Sequence, residues 1–332
     1  MGTLFNLRIV IDHSLFTIHH SLSCMSREQP QRNSLRLQEF IFYSNYFYGL
    51  CAVALSVEAA LQQRYPLNSI LYFGIVFITT VLYYSYPYIR KCTVISSNPR
   101  TNWYTRNYKL MWRQQVIITI ILLLSLILFL CLHWKAVMAM TIRQCSLVLV
   151  FPFVAALYYG INALHGRYNL RKVGWLKPFI IGFTWAGLVT VYPVLFYDII
   201  HQQEYLFNWI GILLFVKNFM FITVLCIMFD IKDYAADYLS RVRTFVVKLG
   251  LRRTIFYILV PLSLIGLASF IYYAVTHHFN YIRVLLNVIP FILLITVAWS
   301  LRRRRSILYY LIVVDGLMLI KAICGTIAIS FF

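Results

Sequence analysis

Three of the chain's ten acidic residues lie within eight positions, at Asp230, Asp233 and Asp237 in DIKDYAAD. Spacings of three and four residues place their side chains on one face of a helix. Carboxylates held so close repel one another unless a cation lies between them, and Mg²⁺ prefers carboxylate, water and phosphate oxygens. The spacing therefore predicts a site where Mg²⁺ could clamp a diphosphate and help it leave. The alternative is a solvated helix face whose acids pair locally with Lys232 and Arg241.

The helices that would position these acids are predicted from long apolar runs in the sequence. Of the 332 residues, 61% are hydrophobic and 12% charged, and the mean hydropathy is +0.75. A soluble domain carries about 25% charged residues, and a helix needs about 20 mostly apolar residues to cross a bilayer. The runs do not alternate apolar and polar residues as transmembrane strands do. They predict an all-α, polytopic bundle of about nine transmembrane helices, at 40–61, 69–89, 116–132, 146–164, 178–196, 209–229, 254–275, 284–301 and 307–331.

The distribution of Lys and Arg predicts the orientation of this bundle. The net charge of +20 could indicate a nucleic-acid partner, but cytoplasmic loops of membrane proteins also collect Lys and Arg. Twenty-three of the 30 basic residues lie in the segment 25–39 and the even-numbered loops, against four in the odd-numbered loops. We therefore expect the N-terminus and the even-numbered loops in the cytoplasm, the lipid bilayer as surroundings, and no nucleic-acid partner.

The first 36 residues differ from the rest of the chain. HSLFTIHHSLS has no good helical face, and the segment lacks the clear apolar core and cleavage site of a signal peptide. Met25 stands just ahead of the polar stretch SREQPQRNSLR. We expect 1–36 to be a disordered extension, with Met25 as the true start, and 37–332 to form a single transmembrane domain.

A few ionisable residues lie inside the apolar runs. Such groups are costly in a bilayer and usually face the bundle interior or a cavity. Lys217 and Asn218 in the sixth run are candidates for lining a cleft, and Asp315 and Lys321, six residues apart, should point to different faces of the ninth run. Glu58 lies near the outer end of the first run and is expected at the interface. The alternative for the whole group is structural pairing or snorkelling.

The segment DIKDYAADYLSRVRTFVVKLG resembles the second aspartate-rich motif of the UbiA superfamily of intramembrane prenyltransferases. That motif has acids spaced D-x-x-D-x-x-x-D, then a Gly-Lys-Arg-Thr segment and a short apolar run that ends in Leu-Gly. The acids match Asp230, Asp233 and Asp237, and the later parts match Arg243-Thr244 and Leu249-Gly250. The family has nine transmembrane helices with an aspartate-rich motif after the second and the sixth, so the resemblance implies a UbiA-like bundle.

The resemblance also implies an activity, the transfer of a prenyl group from a polyprenyl diphosphate to a lipophilic, commonly aromatic, acceptor. The three aspartates would be catalytic residues that hold Mg²⁺ on the diphosphate. Arg243 and Lys248 would contact phosphate oxygens. A Tyr-rich end of the second run, the stretch from Arg100 to Trp103 and LRKVGWLKPFIIGFTWA are similar to a bacterial UbiA-like subgroup, which implies a bacterial inner membrane.

The chain departs from the family pattern at two places. The first aspartate-rich motif is missing, since no acid occurs between Glu58 and Asp198, and Arg241 and Val242 stand where the family has Gly and Lys. Arg241 could neutralise the acids and make a metal unnecessary. An arginine cluster can also hold a diphosphate without metal, which makes Arg241 and, in the second loop, Arg100 and Arg106 candidate diphosphate ligands.

Two other function classes stay open at this point. One is a non-catalytic UbiA-fold membrane protein that binds a lipid diphosphate or a protein partner. The other is a secondary transporter with Lys217, Asp315 and Lys321 along its path. Transporters commonly consist of two repeated halves with broken helices, and the sequence shows no convincing internal repeat, so this class is the least favoured.

Overall fold

A computed structural model of the chain describes residues 37–90, 98–159, 174–205, 208–239 and 242–331. The chain divides into two compact units, Met1–Phe40 and Ile41–Phe332. Of the first unit only residues 37–40 are described, so the predicted extension 1–36 and Met25 lie outside the described residues, as does Arg241.

Every regular element within the described ranges is a helix. Three of the long helices contain a π-helical turn, at Gly187–Val191, Ile255–Leu259 and Tyr310–Val314. The helices are α1 (Leu37–Tyr43), α2 (Tyr46–Gln62), α3 (Ile70–Arg90), α4 (Pro99–Arg106), α5 (Tyr108–Met138), α6 (Ile142–Tyr159), α7 (Lys177–Ile200), α8 (Trp209–Leu239), α9 (Phe245–Leu249), α10 (Leu251–Thr276), α11 (Tyr281–Ser300) and α12 (Ile307–Ser330).

Seven of the described helices are long and apolar enough to cross a membrane, namely α3, α5, α7, α8, α10, α11 and α12. Helices α1 and α2 qualify only as a pair that is bent by 60°, at a break where Asn45 has a φ of 69°. Helix α6 is apolar but shorter than the other candidates. The predicted all-helical membrane architecture is confirmed, and the count of nine spans stays a prediction.

Reporter fusions can decide between nine spans and eight. With the N-terminus inside, nine spans put the C-terminus outside, so alkaline phosphatase fused after Phe332 should be active and green fluorescent protein dark. A fusion after Arg304, in the eighth predicted loop, is the control and should give the reverse pattern. With eight spans both patterns would be inverted, so an active phosphatase after Arg304 and a fluorescent fusion after Phe332 would contradict nine spans.

Helix α8 runs through the centre of the bundle. It packs against α7 and α10, while α2 packs against α3, α7 and α12, and α12 packs against α11. The side chains that meet in this core are apolar and almost fully buried, among them Leu55, Val224, Leu294 and Val314. Pro178 lies in the first turn of α7, where its missing N–H removes no helical hydrogen bond.

Helices α7 and α8 approach each other closely at Gly182. A Cβ atom at this position would overlap the Oγ1 of Thr223. Small residues at helix crossings let transmembrane backbones pack together without a hydrophobic driving force. This crossing sets the distance between the helix that begins at Lys177 and the helix that carries Asp230.

We expect Gly182→Ala to lower the free energy of unfolding by about 1–3 kcal/mol, because the added methyl group must push the two helices apart. Thermal unfolding of the purified protein in detergent would measure the loss. Gly74→Ala in α3 is the matched control, since a Cβ there meets nothing within 4 Å. Equal losses in both variants would show that the α7–α8 crossing is not tight.

Candidate functional site

The three predicted aspartates lie along the last turns of α8 and differ in burial. Asp230 is fully buried, Asp237 is half-buried, and the Asp233 side chain is 39% exposed. A helix rises about 1.5 Å per residue, so Asp230 and Asp237 are about 10 Å apart along the axis. The acids therefore form a row along the helix rather than a cluster around one point.

Asp230 pairs with the first residue of the neighbouring helix α7. The Nζ of Lys177 donates to Asp230 Oδ1 at 2.8 Å. Of the two local partners expected from the sequence, Lys232 lies 3.2 Å from Asp233 Oδ1, and Arg241 lies outside the described residues. In the sequence, Lys177 is one of the cations of the fourth predicted loop. Its place directly before Pro178, at the start of an apolar run, is the signal that could have located it at a helix start.

Two of the aspartate oxygens can accept a cation. Among the described side chains, the buried Oδ2 atoms of Asp230 and Asp237 have no hydrogen-bond partner. Within the same residues, no three His, Cys, Asp or Glu side chains lie close enough together to hold a metal ion. The residues therefore fit a Mg²⁺ ion that brings phosphate and water oxygens as its other ligands, and do not fit a metal held by protein groups alone.

Burial changes the acidity of Asp237, which lies beyond the membrane-spanning part of α8. Removal from water raises its pKa to about 6, with Lys177 opposing the shift and the carboxylates of Asp230 and Asp233 adding to it. The group is therefore partly protonated in mildly acidic solution, and it is available as a metal ligand only when ionised.

A cavity of about 100 Å³ opens beside the Lys177–Asp230 pair. Lys177 lines one part of it and Asp315 of α12 another, and the remaining wall is apolar and aromatic, with Tyr48, Tyr84, Trp185 and Phe229 among its residues. The ring of Tyr48 stacks on that of Tyr84 at 4.7 Å between centroids. Asp315 was predicted to face away from Lys321, and the structure confirms this, since Lys321 binds elsewhere.

A second cavity, of about 380 Å³, lies between α3, α6 and α7. Its lining is almost entirely apolar and includes Phe151, Ala155 and Leu188. Tyr84, Ile181 and Trp185 line both cavities, so the two volumes share a wall. The large apolar cavity therefore adjoins the smaller cavity, which is lined by the charged groups of Lys177 and Asp315.

The predicted phosphate ligands on the segment after α8 lie near this end of the bundle. Arg243 and Lys248 are both exposed. Gly174 packs against the backbone of Arg243 and Thr244, which brings the segment beside the start of α7. Gly250, the last residue of the resemblance, links α9 to α10 with a φ of +79°, a conformation that favours glycine.

The two predicted ligands from the second loop differ from each other. Arg106 is exposed at the end of α4. Arg100 is buried, and its guanidinium donates to the carbonyl oxygen of Tyr43 at 2.8 and 3.1 Å and to Asn45 Oδ1, and lies 4.4 Å above the ring of Tyr88. Arg100 thus ties α4 to the break between α1 and α2, and its assignment to a diphosphate stays a prediction that would require these bonds to open.

Lys217 and Asn218 do not lie with the aspartates. They are 12–13 residues from Asp230 on α8, which is about 20 Å along the helix axis. Asn218 donates to Thr190 Oγ1 at 2.8 Å. Neither residue lines the cavity at Lys177 or the larger apolar cavity beside it.

Lys217 belongs to a separate buried network around Glu58. The Nζ of Lys321 lies 2.7 Å from Glu58 Oε2, and the Nζ of Lys217 lies 3.7 Å from Oε1. Gln62 donates to Glu58 Oε1 at 2.8 Å, and Asn287 lies 3.5 Å from both Gln62 and Lys217. The Glu58 side chain is fully buried between α2, α8 and α12. The contacts therefore show the structural pairing that was the alternative for this group, and the position of Glu58 at the membrane interface stays a prediction.

In comparisons with known proteins, no protein-family model, no curated protein and no solved structure matches the chain.

Proposed function

We propose that this chain is a UbiA-like intramembrane prenyltransferase, which transfers a prenyl group from a polyprenyl diphosphate to a lipophilic acceptor, in a bacterial inner membrane with the Asp230 end facing the cytoplasm. The observation that carries the proposal is the pair of adjoining cavities, one of about 380 Å³ that is apolar and one of about 100 Å³ that reaches Lys177. A prenyl diphosphate has the same two parts, a long hydrocarbon chain and a charged headgroup.

The charged residues at this end suit a diphosphate. Lys177 would bind phosphate oxygens from the cavity, and the exposed Arg243 and Lys248 would add charge-assisted hydrogen bonds. Mg²⁺ that enters with the diphosphate and binds one or two carboxylates of the row Asp230, Asp233 and Asp237 would neutralise charge on the leaving group. The aromatic faces of Tyr84 and Trp185 would stabilise positive charge that develops on the prenyl carbon.

The first test is binding of geranylgeranyl diphosphate to the purified protein, with and without Mg²⁺. Asp237→Asn keeps the volume of the side chain and removes its charge, and should weaken Mg²⁺-dependent binding about tenfold, the equivalent of about 1.4 kcal/mol. Asp198→Asn is the matched control, since Asp198 is also buried but lies at the other end of α7, 3.4 Å from the Tyr65 hydroxyl. If binding changes neither with Mg²⁺ nor in Asp237→Asn, the similarity to prenyltransferases is one of fold alone, and the enzyme proposal is wrong.

The hydrocarbon end of the site can be tested separately. Ala155→Phe would fill part of the large cavity, so geranylgeranyl diphosphate should bind more weakly while the shorter geranyl diphosphate keeps its affinity. Equal loss for both chain lengths would point to misfolding or to a different tail site.

Mg²⁺-dependent binding should strengthen as the pH rises through about 6. Burial raises the pKa of Asp237 to about 6, and a protonated carboxyl group cannot ligate the metal. Measuring the dissociation constant as a function of pH, with and without Mg²⁺, separates the ionisation of Asp237 from protonation of the diphosphate itself. In Asp237→Asn the Mg²⁺-dependent part of the profile should be flat, and an unchanged profile would exclude Asp237 as its cause.

A non-catalytic lipid-diphosphate binder of the same fold is the second candidate. The Lys177–Asp230 pair at 2.8 Å favours this candidate, because the lysine ammonium group already supplies the positive charge that Mg²⁺ would otherwise bring to Asp230. Such a protein would bind geranylgeranyl diphosphate without Mg²⁺ and release no diphosphate when acceptors are added.

A further inference from the structure

Six exposed arginines lie at the end of the bundle where α10 begins and α11 ends. Arg252 and Arg253 belong to the first turn of α10, and the other four, at 302–305, follow α11. The chain has no acidic residue between Asp237 and Asp315, and none of the six arginines forms an ion pair within the described residues. Their charge is therefore available to an anion from outside the chain.

Arg302 is held in place by two aromatic rings. Its guanidinium carbon lies 3.0 Å from the ring centroid of Trp299 in α11 and 5.5 Å from that of Phe256 in α10. The two rings meet edge to face at 5.9 Å, so the stack joins the start of α10 to the end of α11. Stacking occupies the face of a planar guanidinium and leaves the N–H donors at its edge. Among the described residues none accepts a hydrogen bond from the Arg302 side chain, and its donors are therefore positioned but unused.

Two further guanidinium groups flank this stack. Arg252 precedes Phe256 by four residues and lies one helical turn away on the same face. On the other side, Arg305 lies 4.9 Å from the ring centroid of Tyr309 in α12, and its Nε donates to the carbonyl oxygen of Ser300 at 3.4 Å. Three cationic groups, from the ends of three helices, therefore border one place on the surface.

The surface next to the stacked arginine is apolar and exposed. Trp299 is 51% and Phe256 41% exposed. Along the same helices, Ile295 and Ile292 lie one and two turns from Trp299, and Leu264 two turns from Phe256, and all three are exposed. Aromatic side chains commonly lie where a transmembrane helix meets the headgroup region. Cations followed by aromatic and then aliphatic side chains match the order of groups along a phospholipid.

We infer that the surface formed by Arg302, Trp299 and Phe256 binds a phospholipid with an anionic headgroup. Phosphate oxygens accept from the N–H groups of Arg302, and Arg252 and Arg305 add positive charge. The acyl chains lie against the exposed apolar side chains of α10 and α11. A zwitterionic lipid brings the same phosphate together with a cation that the arginines repel, so an anionic headgroup is preferred. This inference does not depend on prenyl transfer.

The test is native mass spectrometry of the full chain in detergent, titrated with palmitoyl-oleoyl phosphatidylglycerol or with the phosphatidylcholine that has the same acyl chains. The natural sequence should bind phosphatidylglycerol about tenfold more tightly, and Arg302→Gln should remove about tenfold of that affinity. Arg303→Gln is the matched control, since it removes the same charge from an exposed neighbour that stacks on no ring among the described residues. Its loss should be no more than a few-fold, from general attraction to the basic loop.

A second pair of variants changes no charge. Trp299→Leu removes the ring that holds Arg302 and should weaken phosphatidylglycerol binding about threefold. Trp112→Leu is its control, because Trp112 is also 51% exposed but lies on α5. General attraction between a basic loop and an anionic lipid would leave both tryptophan variants unchanged.

Larger losses in Arg302→Gln and Trp299→Leu than in their controls support the site. Equal losses in the two arginine variants, with none in Trp299→Leu, would overturn it in favour of diffuse attraction. Equal affinity for phosphatidylglycerol and phosphatidylcholine would overturn the preference for an anionic headgroup. Displacement of phosphatidylglycerol by inorganic phosphate at the same concentration would show a site for a free anion, and the lipid would then be the wrong ligand.

Discussion

Replacing Glu58 with alanine is expected to remove about 3–5 kcal/mol from the free energy of unfolding, because the substitution leaves buried charges without their counter-ion. Glu58 is the carboxylate that both Lys321 and Lys217 approach, at 2.7 and 3.7 Å. Without it two buried ammonium groups would face each other between α2, α8 and α12. Thermal unfolding in lipid nanodiscs would measure the loss.

The matched control is Lys217→Met, which removes the second cation and keeps a long apolar side chain. One carboxylate and one lysine then remain at 2.7 Å, so the change should be neutral or stabilising, as for other buried ions replaced by apolar groups. If Glu58→Ala and Lys217→Met lowered the free energy of unfolding equally, the balance of buried charge would not be the reason that this network stabilises the protein.

Removing Lys177 is expected to have the second-largest effect, a loss of about 3 kcal/mol in Lys177→Ala, since it leaves the Asp230 carboxylate buried and unpaired. The reverse change, Asp230→Asn, should cost only about 1 kcal/mol, because a lysine stem can carry its ammonium group to water. The exposures of the two side chains, 25% for Lys177 and 0% for Asp230, are the reason for this asymmetry.

The double variant Lys177→Ala/Asp230→Asn completes this experiment. It carries no buried charge at the pair and should recover most of the stability that Lys177→Ala alone loses. Unfolding curves for the three variants and the natural sequence form a double-mutant cycle. Additive losses would mean that the 2.8 Å contact does not couple the two residues.

Hydropathy predicted where the helices lie, but it failed where helices are polar or broken. The second loop was predicted from about 90 to 115, whereas α4 and the first turns of α5 are helical, because polar helical segments carry no apolar run. The first run was predicted as one helix, and the chain bends at Asn45, a position where local side-chain chemistry decides the backbone conformation.

The site was predictable only in its local part. Spacing placed three acids on α8, and local pairing suggested Lys232, which lies beside Asp233. The partner of Asp230 comes from a helix 53 positions away, and the cavities arise between three or more helices, so neither leaves a signal in sequence spacing. The burial of Glu58 was missed for the same reason, since both of its lysines come from other helices.

The π-helical turn Tyr310–Val314 also bears on how this chain tolerates changes in length. After the turn, α12 carries Asp315, which lines the smaller cavity, and Lys321, which pairs with Glu58. A π-helical turn holds one residue more than an α-helical turn, so a one-residue deletion within 310–314 could be absorbed by restoring regular winding. A deletion between 315 and 321 would rotate Lys321 by about 100° relative to Asp315, and natural length variation in this helix should therefore be confined to its first turns.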